Sequence, residues 1–284
     1  MVEPVSRSFI SQGLRLNVWD WGNENAPPLL LVHGGLDHGR SWDYFAQRLQ
    51  GEYHVISFDL RGHGDSDWAP GSSYPLPDFV ADVANFLFQE KIERTKIIAH
   101  SMGGAISLLL AGTFPQMVTR MVVIEGLRPA AMKIASVPEQ MKLWIEKIRS
   151  NNVRAPRGYA TFEDALARMR EAHPRLTAEQ ALHLTKHGVK QLPDGSWFWK
   201  SDINTMLRTP YRLSFEEHAS IWKQIECPVM LVRGTASGRP DPAGNNWISY
   251  FRNAVIHDVE GADHWVQHDE PDALLATARA FLRD

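Results

Sequence analysis

Hydrophobic positions along this chain follow two periods. From Ser8 to Trp21 they alternate, with Gln12-Gly13 between the halves, which predicts two strands joined by a tight turn. Short apolar runs follow, each closed by polar or glycine residues: Leu29 to Val32, Val55 to Phe58, Ile97 to Ala99, Met121 to Ile124, Val229 to Val232 and Val255 to Ile256. Between several of them lie stretches of helical period, at Trp42 to Leu49, Phe79 to Phe88, Gly104 to Ala111 and Pro271 to Leu282. Strands alternating with helices imply an α/β fold with a mostly parallel sheet covered on both faces.

The alternation stops after Ile124. From about Leu127 to Trp222 the pattern is helical, with no convincing strand before Val229. Met141, Leu143, Trp144, Ile145 and Ile148 mark one helix, and Phe162, Ala165, Leu166 and Met169 a second. Thr177 and Gln180 read as a capping box opening a third, each side chain satisfying a free amide of the other. A block this long is no loop. The expected organisation is a core of residues 1–126 and 224–284 with a helical cap, 127–223, inserted into it.

Composition narrows the function classes. The 284 residues are 44% hydrophobic and 22% charged, with a net charge of −3, which argues against a basic face for nucleic acid or anionic membrane. No run approaches the roughly 20 apolar residues of a membrane span. The single cysteine, Cys227, precedes Pro228 at the start of an apolar run and reads as a packed core thiol. It permits no intramolecular disulfide, which fits a reducing compartment. The first residues show no basic segment followed by an apolar stretch, so the expected location is cytoplasmic.

Three segments carry candidate chemistry. At Ile97 the chain reads IIAHSMGGAISLLLAG. A strand ends at Ala99, His100-Ser101-Met102 turns, and a helix begins at Gly103-Gly104. This is a nucleophile elbow with Ala99 at its first glycine position; the small residues let backbones approach a strained turn. The helix behind directs its amide dipole at Ser101. The bland alternative is an ordinary strand–turn–helix junction. The second segment is Leu29 to Leu36, LLLVHGGL, where glycines allow amides to face a cavity. An oxyanion needs two donors: the amides of Met102 and Gly35 are the candidates, with Leu36 a substitute for the latter. His33 reads as structural, bonding the loop. The third is Glu260 to Trp265, EGADHW. Of the 12 histidines, His264 follows the last strand and a Gly-Ala turn, on the same sheet edge as the elbow. Its ordinary pKa near 6.5 suits a base that takes the serine proton and returns it. His257 and His268 are its rivals.

With LLLVHGG, the FDLRGHGDS stretch from Phe58 to Ser66, AHSMGG and GADHW in this order, the chain resembles the capped subgroup of the α/β-hydrolase superfamily. The resemblance implies an eight-stranded sheet, a Ser–His–acid triad and substrate bound between core and cap, with no metal or organic cofactor. FDLRGHGDS would be a structural turn.

The acid departs from the family pattern. It usually follows the strand represented by Pro228 to Val232, but this chain reads Arg233-Gly-Thr-Ala-Ser-Gly238 there, with no carboxylate. Glu125, closing Met-Val-Val-Ile-Glu on a rigid strand end, is the preferred acid; Asp241, further along the loop, is the alternative. For Glu125 the competing reading is a salt bridge to Arg128 or another arginine of the cap. Asp263, next to the histidine, is expected to point away.

Aromatic residues fill the expected cap, including Trp144, Tyr159, Phe162, Trp197, Phe198, Trp199 and Trp222. Most are expected in helix packing. If a few join Leu36, Trp42, Trp68 and Trp265 around a cleft, the pocket is apolar and suits a small to medium hydrophobic ester, thioester or lactone. An acyl-Ser101 hydrolase is thus the leading reading. A C–C bond hydrolase or perhydrolase using the same serine is second, and a non-catalytic ligand-binding member of the fold third. Ser101 disfavours the epoxide hydrolases and haloalkane dehalogenases, which use an aspartate at the elbow. The sequence leaves monomer and homodimer both open.

Overall fold

Gln12 and Gly13, both with left-handed backbone (φ 49° and 79°), turn β1 (Val5–Ser11) back onto β2 (Leu14–Asp20) as an antiparallel hairpin. In the computed structural model, residues 3–71, 74–127, 136–153, 158–207 and 212–283 are described. After the hairpin come β3 (Pro28–Val32), α1 (Asp43–Leu49), β4 (His54–Asp59), α2 (Leu76–Gln89), β5 (Thr95–His100), α3 (Met102–Thr113) and β6 (Val118–Ile124). The segment after β6 contains α4 (Val137–Val153), α5 (Phe162–Ala172), α6 (Ala178–Gly188), β7 (Val189–Gln191), β8 (Trp197–Trp199) and α7 (Phe215–Trp222). The chain then closes with β9 (Val229–Gly234), β10 (Ala254–Val259), α8 (Val266–Asp269) and α9 (Pro271–Arg283).

Eight strands form one sheet in the order β1-β2-β4-β3-β5-β6-β9-β10. From β4 to β10 all neighbours are parallel; β2 meets β4 antiparallel. The order reverses at β3: β4 lies on one side of it and β5 on the other. Loops leaving the carboxyl ends of β3 and β5 therefore diverge, and in an open α/β sheet that divergence makes the crevice.

Successive strand residues point to opposite faces, so each face has its own core. Leu30, Val32, Ile97, Ala99, Met121 and Val123 pack with Phe79, Phe86, Ile106 and Leu110 of α2 and α3. Leu29, Leu31, Ile98, Val122 and Ile124 pack with Phe45 and Leu49 of α1 and with Leu274, Ala278 and Leu282 of α9. Full burial of each such Leu or Ile contributes about 1.5–3 kcal/mol. Cys227 is a buried free thiol in the first core, and burial pushes its pKa up to about 11.

The expected helices of the inserted segment are present, and Thr177 and Gln180 exchange both capping bonds at the start of α6. Two features differ from the expectation. First, β7 and β8 form a separate two-stranded antiparallel sheet. At three residues each, they are too short to show a period. Second, α7 buries Ala219 and Trp222 in the first core, and a Cβ on Gly112 of α3 would lie 2.3 Å from the Ile221 carbonyl. The last helix of the 127–223 stretch is thus packed against the sheet layer, and Trp222 is core. The rest of the segment meets the loops at the carboxyl edge of the sheet. His38 Nε2 bonds the Leu184 carbonyl (3.0 Å), Tyr74 donates to Asp202 (2.7 Å), and Gln180 donates to the His268 carbonyl (2.8 Å). Among the described residues no helix is long and apolar enough to cross a membrane.

The FDLRGHGDS segment is a polar hub. Buried Asp59 accepts from Gly39 N (2.7 Å), Asn17 Nδ2 (2.9 Å), Trp19 Nε1 (3.0 Å) and Asp65 N (3.0 Å). A Cβ on Gly64 would lie 2.2 Å from that carboxyl carbon, which explains the second glycine of the segment. Arg61 grips Asp82 of α2 through Nε (2.6 Å) and Nη2 (2.7 Å). The segment fixes the loop after β4 and thereby the wall of the crevice.

Candidate active site

The strand-to-helix turn after β5 is strained. Ser101 has φ 48° and ψ −113°, a region costing a non-glycine residue about 1–3 kcal/mol. Its amide is nevertheless held in the sheet, donating to the Ile124 carbonyl at 2.8 Å. Close packing imposes the turn. A Cβ on Gly103 would lie 2.4 Å from the Val32 carbonyl oxygen, and one on Gly104 would lie 2.8 Å from Cα of Gly126. Two glycines therefore let α3 start against β3 and β6, and the serine is thrown up at the sheet edge.

His264, in the loop between β10 and α8, faces it. Its Nε2 lies 3.0 Å from Ser101 Oγ, and its Nδ1 lies 3.4 Å from Oε2 of Glu125, at the end of β6. The latter spacing is long for a hydrogen bond. Glu125 is buried and has left-handed backbone, φ 53°. Its Oε1 accepts from Gly234 N (2.8 Å) and Ser237 Oγ (3.1 Å). Thus the loop after β9, where the family pattern has an aspartate, supplies donors to a carboxylate from the neighbouring strand. Asp241 is not brought to His264: its carboxylate accepts from Ala243 N (2.9 Å) and pairs with Arg233 (3.5 Å). Asp263 accepts from the amide of His264 (2.7 Å). Arg128 lies outside the described residues.

Met102 is the first residue of α3, so its amide has no intrahelical acceptor. Gly35 sits across from it, where an added Cβ would lie 4.0 Å from Met102 Sδ and 3.3 Å from Met206 Sδ. A Cβ on Gly34 would lie 3.2 Å from Ser101 Cβ, so the loop after β3 passes directly over the elbow. Leu36 is 43% exposed and has φ 61°. His33 is the loop anchor expected: its Nε2 accepts from Leu60 N at 3.0 Å, and burial holds its pKa well below the ordinary value.

The four candidate pocket residues separate. Leu36 and Trp265 line a narrow cleft of about 20 Å³ together with His38, Met169, Leu184 and Trp199. Ser101 itself is not in its wall. Trp265 stacks on His173 with ring centres 3.9 Å apart. Trp68 bridges to the inserted segment, donating to the Lys200 carbonyl at 3.3 Å. Trp42 is not a cleft residue: it is 1% exposed, edge-on to Phe45 in the second core. The polar loop around it masks its packing in the sequence, where it reads as a loop aromatic.

Other residues adjoin the site, and of His100, Arg175, Arg239 and Asp269 only His100 lies in one of the motifs. His100, neutral because burial pushes its pKa far down, bonds through Nε2 to the His264 carbonyl at 2.9 Å. Arg175 pairs with Asp269 (3.0 Å), and Asp269 accepts from Asp263 N (2.7 Å), bracing the histidine loop. Arg239 Nη2 lies 3.3 Å from His264 Nε2. Away from the site, Asp43, His183 and His187 place possible metal-ligand atoms within 4.8 Å of one another. Both Asp43 oxygens, however, accept from Arg40 Nε (2.9 and 2.8 Å), so a guanidinium already occupies the place beside that carboxylate.

Residues 27–271 match the family model described as alpha/beta hydrolase fold; the chain belongs to this family. It is 26% identical over 269 residues to Esterase YbfF of Escherichia coli, covering 92% of this chain and 94% of that protein. It is 34% identical over 286 residues to Epoxide hydrolase 4 of Mus musculus, covering 96% and 77%. A solved structure of a hypothetical protein from Pseudomonas aeruginosa PAO1 superposes with a TM-score of 0.87 at 26% identity, covering 100% of both chains.

Proposed function

We propose that the protein is a serine hydrolase of carboxylic esters or related acyl compounds, acting through an acyl-Ser101 intermediate. The observation that carries this reading is the unbroken file Ser101 Oγ–His264–Glu125, drawn from the ends of β5, β10 and β6. In it, Ser101 Oγ attacks the substrate carbonyl carbon while its proton passes to His264 Nε2. The imidazolium returns that proton to the departing alkoxide, leaving the acyl group on Ser101. Water then repeats the two steps and frees the acid. Glu125 holds the Nδ1–H tautomer and stabilises the imidazolium. The amides of Met102 and Gly35 are assigned to the oxyanion, with Leu36 the substitute for the second.

The inserted segment up to α7 serves as a cap over the site, with α7 itself packed on the core, and substrate enters between the two. Leu36 and Trp265 give the apolar wall for a small to medium acyl chain, with Trp68 at its rim. A serine at the elbow favours acyl transfer over epoxide opening, and the esterase among the relatives agrees with that. The test is labelling with a fluorophosphonate, followed by turnover of p-nitrophenyl esters of increasing acyl length. Labelling and turnover that both vanish in Ser101→Ala support the reading. An unlabelled, folded wild type that hydrolyses none of the esters would overturn it.

A further inference from the structure

We propose that Arg239 selects substrates bearing an anionic group, a carboxylate on the acyl chain, and that it leaves His264 in order to bind it. This rests on the serine-hydrolase reading above and names the substrate class of that site.

Two donors address one lone pair. With Nδ1 protonated toward Glu125, His264 Nε2 has a single acceptor position. Ser101 Oγ lies 3.0 Å from it and Arg239 Nη2 lies 3.3 Å from it. A guanidinium stays protonated throughout the working pH range. It competes with the serine hydroxyl, and its charge opposes the imidazolium that must form when Nε2 takes the serine proton. For a neutral ester this is a counterproductive arrangement.

Arg239 is also under-paired where several other cations of the chain are not. Lys200 has Asp65 at 2.8 Å, Arg175 has Asp269 at 3.0 Å, Arg233 has Asp258 at 2.7 Å and Arg40 has Asp43 at 2.7 Å. The carboxylate near Arg239 is Glu125, 4.0 Å from its Nε. The oxygens of Glu125 are already engaged by Gly234 N, Ser237 Oγ and His264 Nδ1. Among the described residues, most of the five guanidinium donors thus remain for a partner. The side chain is 31% exposed, so a ligand can reach it.

Its main chain is nonetheless held in place. The Arg239 amide donates to Ser237 Oγ (3.2 Å), the hydroxyl that also donates to Glu125, and Gly238 makes the intervening turn with φ 63°. One loop therefore holds the triad carboxylate and presents the cation. A substrate carboxylate offers the bidentate geometry that guanidinium prefers. When it binds, Nε2 is left to Ser101 alone and the positive charge is neutralised. Recognition of the anion and release of the base become one event.

The test compares two p-nitrophenyl esters of equal length, the hexanoate and the adipate monoester, which differ in a terminal methyl against a terminal carboxylate. Spontaneous hydrolysis is subtracted. The wild type is expected to favour the monoadipate in kcat/KM by about tenfold or more, as a charged hydrogen bond is typically strong enough to give. Arg239→Met should lower kcat/KM for the monoadipate by about 10- to 100-fold and raise it several-fold for the hexanoate; Arg239→Lys should restore part of the preference. A wild type that favours the hexanoate, or an Arg239→Met loss equal on both esters, overturns the proposal and leaves the serine reading intact. Turnover of neither ester by a wild type whose Ser101 still reacts with fluorophosphonate also overturns it. Loss of that labelling too overturns the serine reading itself.

Discussion

Glu125 and His264 are 139 residues apart in the chain and 3.4 Å apart in space, Oε2 to Nδ1. The contact exists because β6, β9 and β10 are successive parallel neighbours, with Ile124 opposite Val232 and Val232 opposite His257. The end of β6 and the loop after β9 therefore open at the same height. Glu125 hangs its carboxylate under that loop, donors from the loop hold Oε1, and Oε2 is left for the imidazole.

Exchange of Glu125 for glutamine keeps the shape and removes the charge. On the proposed mechanism kcat should fall by about 10²- to 10⁴-fold, since the amide no longer enforces the tautomer or stabilises the imidazolium. Asp241→Asn should stay within about twofold of wild type, because that carboxylate bonds Ala243 and Arg233 and its loss is a surface change. Steady-state kinetics of the two variants side by side decide the point. A larger effect at Asp241 would transfer the acid role there.

Ser237 stands where the family pattern has an aspartate, and it bonds the carboxylate proposed to replace it. Its hydroxyl supplies one of the two donors to Glu125 Oε1. Ser237→Ala should reduce kcat by about 3- to 10-fold, the effect of one hydrogen bond worth roughly 1 kcal/mol, with KM little changed. Ser237→Thr should recover most of the rate. An alanine variant as fast as wild type would show that Gly234 N alone holds the carboxylate.

Much of this architecture is legible in the sequence because strands and elbows are short-range patterns. Apolar runs such as Leu29 to Val32, and a serine between a strand and two glycines, declare themselves within ten residues. The resemblance of four ordered segments adds the eight-stranded sheet. What stays hidden depends on which elements become neighbours. The sequence favours Glu125 as the acid but leaves Asp241 as an alternative, because the choice rests on which strand end lies next to the His264 loop, and no motif marks Arg239 after Gly238. Trp42 misleads because its immediate neighbours, Ser41 and Asp43, are polar, while the second core it joins is assembled from α1, α9 and the sheet. The β7–β8 hairpin is missed because three residues show no period.

The elbow glycines give a stability test independent of any substrate. A methyl on Gly103 would have to fit 2.4 Å from the Val32 carbonyl oxygen and 2.5 Å from that of His33. Both are backbone atoms on the central strand or its exit, so neither can swing aside. Gly103→Ala should cost about 2–3 kcal/mol, at the upper end of overpacking, and lower Tm by roughly 4–12 °C. Gly51→Ala, where the added methyl meets nothing within 4 Å, is the control and should melt within about 2 °C of wild type. Equal melting of both variants would mean that the start of α3 can shift away from β3.

Stability should also fall in mild acid, well above the carboxylate range. Burial pushes His63 down to about 4 and His268 down to about 3, and it holds His33 and His100 far below their ordinary values. Unfolded, each titrates near 6.5, so between about 6.5 and the folded value the unfolded chain binds protons that the native state refuses. Their contribution is therefore fully present above about pH 6.5 and is lost as the pH falls toward 4, at up to about 1.4 kcal/mol per pH unit for each histidine. His183 works the other way: its bonds to Asp43 and the Arg40 carbonyl outweigh burial and raise its pKa. One such group does not offset four. Thermal melts between pH 7.5 and 5.0 should show Tm dropping steadily below about 6.5. His63→Asn, whose side-chain amide can replace the Nδ1 bond to the Arg61 carbonyl (2.9 Å), should melt with a shallower slope. A Tm that is flat down to pH 5 would show that the buried histidines gain protons without unfolding the chain.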